Sequence, residues 1–229
     1  MIWKNDKELF KLAKEELFTA LVGDILDVKG YFHQFLPPDL KPLVETDMII
    51  GRAMPVLEVD VFVDKFTGSQ AEIMEKPFGL MFHALDDLKE DEVYIATGAH
   101  NSYAMWGGLM TTRALSLGAA GAIVDGYSRD TPEVKRLGFP CFGRGTYAQD
   151  QGQRGKVIDY RIPIEIGGVR INPGDIVFAD LDGIVVVPKE IETEVFTKAF
   201  EKGRTEKNVL KAIQKGMSSV QAFEHFGVF

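Results

Sequence analysis

The chain has 229 residues, 45% hydrophobic and 26% charged, with a formal net charge of -8, which is enough for a sizeable core in one large domain or two small ones. The acidic balance repels phosphate backbones and argues against general nucleic-acid binding, though not against a local basic patch over an anionic substrate. The single cysteine, Cys141, excludes an intrachain disulfide; with no uncharged apolar run near the roughly 20 residues that span a bilayer, a cytoplasmic setting without membrane partners is expected.

Along the chain, Leu9, Phe10, Leu12, Ala13 and Leu17 recur at helical spacing. They predict an amphipathic helix over 5–18, capped by Asn5 or Asp6. The charged start (Lys4, Asp6, Lys7, Glu8) shows no signal peptide. A second helix is expected over 19–28, ending at Gly30. After a proline-marked loop, the Val, Ile and Met of 48–63 read as strand, with Gly51 and Pro55 as breaks. Helical stretches follow over 69–75 and 78–88, then a short strand over 93–97. Residues 104–117 read as helix with Gly118 as its C-cap. The apolar run 120–125 reads as a strand buried on both faces. A loop, 126–130, then leads into a helix opened by Thr131-Pro132-Glu133. Beyond Pro140, short strands over 157–166, 169–171, 176–179 and 184–187 are separated by glycine- and aspartate-rich turns. Helices over 189–202 and 205–214 and a last one from Ser218 complete the chain. With no repeat or linker, 1–229 reads as a single α/β domain, a central β-layer with helices at both ends.

The densest chemical signal is Arg129-Asp130, at a strand end and a helix start, where α/β folds favour ligand sites. Arginine offers a planar fork for a carboxylate. Aspartate supplies a hard oxygen for a divalent cation, and a cation beside a clamped 2-oxo acid stabilises an enolate. A surface ion pair, or an aspartate capping the next helix, explains the pair equally well from position alone. Gly107-Gly108 opens a helix: either its amides face an anion or the turn needs positive φ. Gly143-Arg144-Gly145 lacks the context of a dinucleotide loop. His33, His83, His100 and His225 share no metal-ligand spacing. Asp24 reads equally as a helix cap, Asp180 and Asp182 as turn residues, and Cys141 as a buried inert thiol.

Gly107-Gly108-Leu109-Met110, the run Gly118-Ala119-Ala120-Gly121-Ala122-Ile123-Val124-Asp125-Gly126, and Arg129-Asp130 together resemble the RraA-like family. So do Gly51-Arg52-Ala53, Gly167-Gly168-Val169, Pro173-Gly174-Asp175 and the stretch from Ala179 to Pro188. That family contains 4-hydroxy-4-methyl-2-oxoglutarate aldolases and regulators of ribonuclease E activity. The resemblance implies an αββα-type, swivelling β/β/α fold. It implies homo-oligomers (a trimer or a dimer of trimers) with active sites at subunit interfaces, and Mg²⁺ or another divalent metal such as Mn²⁺. The activity it implies is pyruvate-forming aldolase or oxaloacetate decarboxylase chemistry on a small 2-oxo acid. By this resemblance Arg129 holds the substrate carboxylate and enolate, and Asp130 binds the metal. Gly107, Gly108, Leu109 and Met110 border the substrate, the last two through backbone amides. Glu206 is the match for a metal-site glutamate contributed by a neighbouring subunit. One departure stands out: aldolase members carry an acid that orders metal-bound water where this chain has Gly108. The alternative implied function is a non-catalytic regulator that binds RNA-degradation machinery. A methyltransferase role finds no glycine-rich strand-to-helix loop for the methyl donor.

Overall fold

The computed structural model describes residues 2–45, 48–61 and 72–228. Helix α1 (Asp6–Glu16) starts where the Asn5 side chain accepts from the Glu8 amide at 2.9 Å. It stops at the extended Leu17, and α2 (Thr19–Val28) follows. Then come β1 (Lys41–Pro42), β2 (Ile49–Asp60), a 3-10 turn (Glu72–Glu75), α3 (Met81–Asp86) and β3 (Glu92–Thr97). The central part is β4 (Ala104–Trp106), α4 (Gly108–Ser116), β5 (Gly121–Val124), β6 (Tyr127–Ser128) and α5 (Thr131–Leu137). The rest is β7 (Cys141–Gly143), β8 (Gly145–Thr146), β9 (Gly155–Tyr160), β10 (Ile164–Ile166), β11 (Val169–Ile171), β12 (Ile176–Ala179), β13 (Ile184–Val187), α6 (Glu192–Gln214) and α7 (Ser219–Phe226).

The main sheet runs β1-β7-β5-β3-β2-β12-β13, with β9 also paired to β2. Its middle, β2-β3-β5-β7, is parallel, and the flanks are antiparallel. The long β2 serves two neighbours on one side: Ile49–Arg52 pair with β12, and Val56–Asp60 pair with β9 across a register shift at Leu57/Glu58. One face of the sheet, Ile49, Ala53, Val93, Ile95, Ile123, Phe142, Val177 and Val186, packs with the β10–β11 hairpin into a single core. The other face carries the helices. Ile50, Phe178, Val185 and Val187 lie under α1, α2 and α6; Met54, Val56, Tyr94, Ala122 and Val124 lie under α3, α4 and α5. Arg52 stitches this face together, donating to Asp6 of α1 at 2.7 Å and to Glu192 of α6 at 2.9 Å.

The α/β class and the central β-layer are as expected; several boundaries differ. Residues 104–106 form strand rather than helix, fully buried beside β6. The two C-terminal helices expected over 189–214 are one, α6: Gly203 lies inside it, packed so closely on α2 that an added Cβ would sit 3.1 Å from Leu21 Cδ1. The stretch 157–166 breaks at Arg161, whose φ is 56°. The expected helix over 78–88 shortens to α3, and of the helix expected over 69–75 only the 3-10 turn is described; residues 69–71, like 62 and 63 of the expected strand, lie outside the described residues. Asp180 is a turn residue that also caps α2 from across the fold, its carboxylate accepting from the Thr19 amide at 2.8 Å. Asp24 is no cap; it lies within α2 and meets Lys202.

Candidate active site

The strands β4, β6 and β8 form a small parallel sheet beside the main one. Two of them lead directly into helices, β4 into α4 and β6 into α5. Because the strands are parallel neighbours, the two helix N-termini emerge side by side. The backbone is locked at this point: the Arg129 amide donates to the Trp106 carbonyl at 2.9 Å. Trp106 is itself immobilised, stacking on Phe139 at a centroid distance of 5.8 Å and donating its indole N–H to Thr111 Oγ1 at 2.8 Å. Below, Asp125 at the end of β5 accepts from Thr97 Oγ1 at 2.8 Å and from Arg144 Nη2 at 2.6 Å, which fixes the loop that presents Arg129.

Asp130 occupies the N-cap position of α5, yet its side chain does not cap α5. Its backbone is in the left-handed region, φ 54° and ψ 33°, which aspartate tolerates better than most residues. That conformation turns the carboxylate away from its own helix to the start of α4, where Oδ2 accepts from the Gly108 amide at 3.1 Å. A carboxylate there is favoured by the partial positive charge of the helix N-terminus. The next two amides of the first turn, those of Leu109 and Met110, have no acceptor among the described residues, as expected of first-turn donors.

This geometry also explains the paired glycines. Gly107 has φ -164°, so positive φ is not the reason. An added Cβ at Gly107 would sit 2.9 Å from Asp130 Oδ2 and 3.1 Å from Arg129 Cγ; at Gly108 it would sit 3.3 Å from Asp130 Cβ and Glu133 Cγ. The glycines make room for the Arg129-Asp130 pair.

Arg129 does not form a simple ion pair with its neighbour. Its Nε is 3.6 Å from Asp130 Oδ1, beyond hydrogen-bond distance, whereas Nη1 donates to Asp150 Oδ1 at 2.5 Å. Asp150 is steadied in turn by the Gly152 amide at 2.7 Å. Arg129 Nη2 has no hydrogen-bond partner among the described residues, so one edge of the guanidinium remains for an anion. These groups form one end of a cavity of about 420 Å³ whose walls come from α3, β4 and α4. Gly107, Leu109, Met110, Arg129 and Asp130 all line it. Gly108 touches the site through its amide. Glu206 does not reach it within one chain: it lies on α6, 3.5 Å from Lys202, along a separate groove with Phe18 and Leu210. The sequence reading missed Asp150, which lies in a loop without periodic pattern, and the α3 wall. The only local signal for Asp150 was an Asp-x-Gly turn.

No group of three or more His, Cys, Asp or Glu side chains converges to hold a metal among the described residues. No helix described is long and apolar enough to cross a membrane. His100 contacts Asp60 at the other end of β2, and Cys141 is buried under the helices.

Comparison with known proteins places these features in context. The family profile described as Aldolase/RraA matches residues 19–186. A protein of Halalkalibacterium halodurans that is provisionally named a 4-hydroxy-4-methyl-2-oxoglutarate aldolase is 31% identical over 205 residues, 90% of this chain and 89% of that one. Among solved structures, an uncharacterized protein from Pseudomonas syringae superposes with a TM-score of 0.82 at 26% identity, covering 98% of this chain and 97% of the other. Streptomyces coelicolor RraAS2, described as an unusual member of the RNase ES inhibitor RraA protein family, gives a TM-score of 0.73 at 25% identity over 90% of this chain and 97% of the other.

Proposed function

The chain belongs to the RraA-like family, and we propose that within it this protein is a lyase that cleaves a small 2-oxo acid to pyruvate through an enolate. The observation that carries the proposal is the Arg129 guanidinium at the end of a cavity, beside an Asp130 carboxylate turned toward that same end by a left-handed backbone. Arg129 Nη2 binds the substrate carboxylate. The amides of Leu109 and Met110 donate to its oxygens, as helix N-termini do for anions. Asp150 holds the guanidinium in place.

A divalent cation such as Mg²⁺ suits this donor set. Asp130 Oδ1 is a hard oxygen that accepts no hydrogen bond among the described residues, and Mg²⁺ is commonly held by one or two carboxylates plus water. When bound, it would supply Lewis acidity at the 2-oxo carbonyl and offset the charge of the enolate. Since no group of three or more His, Cys, Asp or Glu side chains gathers at Asp130 among the described residues, a glutamate from a neighbouring copy, Glu206 on α6, is the proposed complement, in a trimer or a dimer of trimers. With Gly108 where the family resemblance places an acid, proton transfer falls to a group other than residue 108.

Calorimetric titration with Mg²⁺ and oxalate, an enolate mimic, tests the reading. Oxalate is expected to bind only with Mg²⁺ present and to lose binding in Arg129→Met. Equal binding to both proteins would overturn it. A second reading, a regulator that binds a ribonuclease, is favoured by the likeness to RraAS2. Pull-down and ribonuclease inhibition would support it, and absence of both would remove it.

A further inference from the structure

The site cavity has a second end. Beyond Arg129 its wall is largely hydrocarbon and aromatic, with Phe78, Met81, Phe82, Leu85, Met105 and Met110, and it also carries the Asp86–Arg113 ion pair. At about 420 Å³ it falls in the size range of pockets that enclose whole small-molecule ligands, well beyond what pyruvate fills. Pyruvate against Arg129 therefore leaves the apolar end unfilled.

Part of that wall is built under strain. Phe78 has φ 59°, a conformation rare for a bulky side chain. It sets the Phe78 ring edge-on to Phe82 at a centroid distance of 5.4 Å. Strain of this kind persists where the surroundings impose it, and it clusters at ligand sites.

The charges along the cavity are nearly balanced. Its lining carries three carboxylates, Asp86, Asp130 and Asp150, and two guanidinium groups, Arg113 and Arg129. Arg113, the one cation besides Arg129 among the described lining residues, donates to Asp86 at 2.7 Å and to Ser116 at 3.4 Å. A second carboxylate on the substrate would have to compete with Asp86 for Arg113 in a half-exposed ion pair, and elsewhere along this wall it would lie against hydrocarbon that cannot solvate its charge.

We propose that the substrate is a 4-hydroxy-2-oxo acid with an uncharged hydrocarbon substituent at C4, the aldol adduct of pyruvate and an apolar aldehyde. This inference rests on the lyase reading and adds the nature of the distal group. Cleavage breaks the C3–C4 bond. The 4-hydroxyl loses its proton to a base, its oxygen becomes the aldehyde carbonyl, and the electron pair passes to C3 as the pyruvate enolate. The enolate then takes up a proton, so no external oxidant or reductant is needed.

The test is calorimetric binding of straight-chain 2-oxo acids, from 2-oxobutanoate to 2-oxohexanoate, compared with 2-oxoglutarate, with Mg²⁺ present throughout. Each methylene is expected to tighten binding about fourfold until the cavity is full. 2-Oxohexanoate should bind about tenfold or more tighter than 2-oxoglutarate. Phe82→Arg, at a half-exposed position where folding is spared, should reverse that order by adding a cation. Affinity that is flat with chain length, or tighter binding of 2-oxoglutarate to the parent protein, would overturn the inference. Arg129→Met separates the two levels. If it abolishes binding of every acid while the chain-length series is flat, the apolar-tail inference fails and the carboxylate clamp stands. If it leaves binding unchanged, the clamp fails.

Discussion

Glu58 is a carboxyl buried in the core. It lies on β2, is 1% exposed, and its Oε1 has no hydrogen-bond partner among the described residues. The Tyr103 hydroxyl lies beside it, close enough to interact but without a well-formed hydrogen bond among the described residues; both atoms crowd Gly155, where an added Cβ would sit 1.9 Å from Tyr103 Oη and 2.7 Å from Glu58 Oε1. Burial pushes the Glu58 carboxyl from 4.5 up to about 8; Tyr103 opposes the rise and the charge of Asp60 adds to it. The folded state therefore binds a proton that the unfolded state releases. Stability from this group is fully present below about pH 4.5 and is lost as pH rises through about 8. At about 1.4 kcal/mol per unit, the loss reaches on the order of 3 kcal/mol by neutral pH. Glu58→Gln keeps the shape and cannot ionise. In urea denaturation the variant should match the parent near pH 5 and exceed it by about 3 kcal/mol or more at pH 8. An identical fall in stability between these pH values in both proteins would refute the reasoning.

Further outcomes follow from the same structure. Gly107→Ala should impair catalysis more than Gly108→Ala, because its Cβ meets Asp130 Oδ2 at 2.9 Å whereas Gly108 has 3.3 Å of clearance; kcat for both variants, with circular dichroism to confirm folding, checks the order. Asp150→Asn weakens the hold on Arg129 Nη1 and should raise KM for the 2-oxo acid severalfold, with a smaller effect on kcat, in steady-state kinetics. Arg52→Met leaves Glu192 and Asp6 without their shared partner; for these partly exposed groups a loss of about 2 kcal/mol is expected in denaturant melts. Because Arg52 also holds Asp6 below its usual carboxylate range, the parent should lose this stability as pH falls below about 4, and the variant should not.

Much of the fold was legible because its strands and helices follow simple rules. The run 121–124 is buried throughout, as an unbroken apolar stretch implies, and Pro132 sits in the first turn of α5. Residues 104–106 misled because three apolar residues carry no period, and the deciding factor was pairing to β6, a tertiary contact. The break expected between 202 and 205 is absent, because Gly203 packs closely on Leu21 and the helix continues through it. Arg129-Asp130 was legible as a pair, yet its internal wiring was not: a cap and an ion pair were the obvious partners, and the structure gives Asp130 to the neighbouring helix and Arg129 to Asp150. No spacing rule foretells a contact between residues 129 and 150.

The most direct test of the central claim is pyruvate release from a 4-hydroxy-2-oxo acid, followed by a coupled assay, for the parent and Arg129→Met, with Mg²⁺ and after chelation. Release by the parent only with the metal is expected, with a loss of about a hundredfold or more in the variant. Equal rates in the two proteins, or release indifferent to chelation, would contradict it.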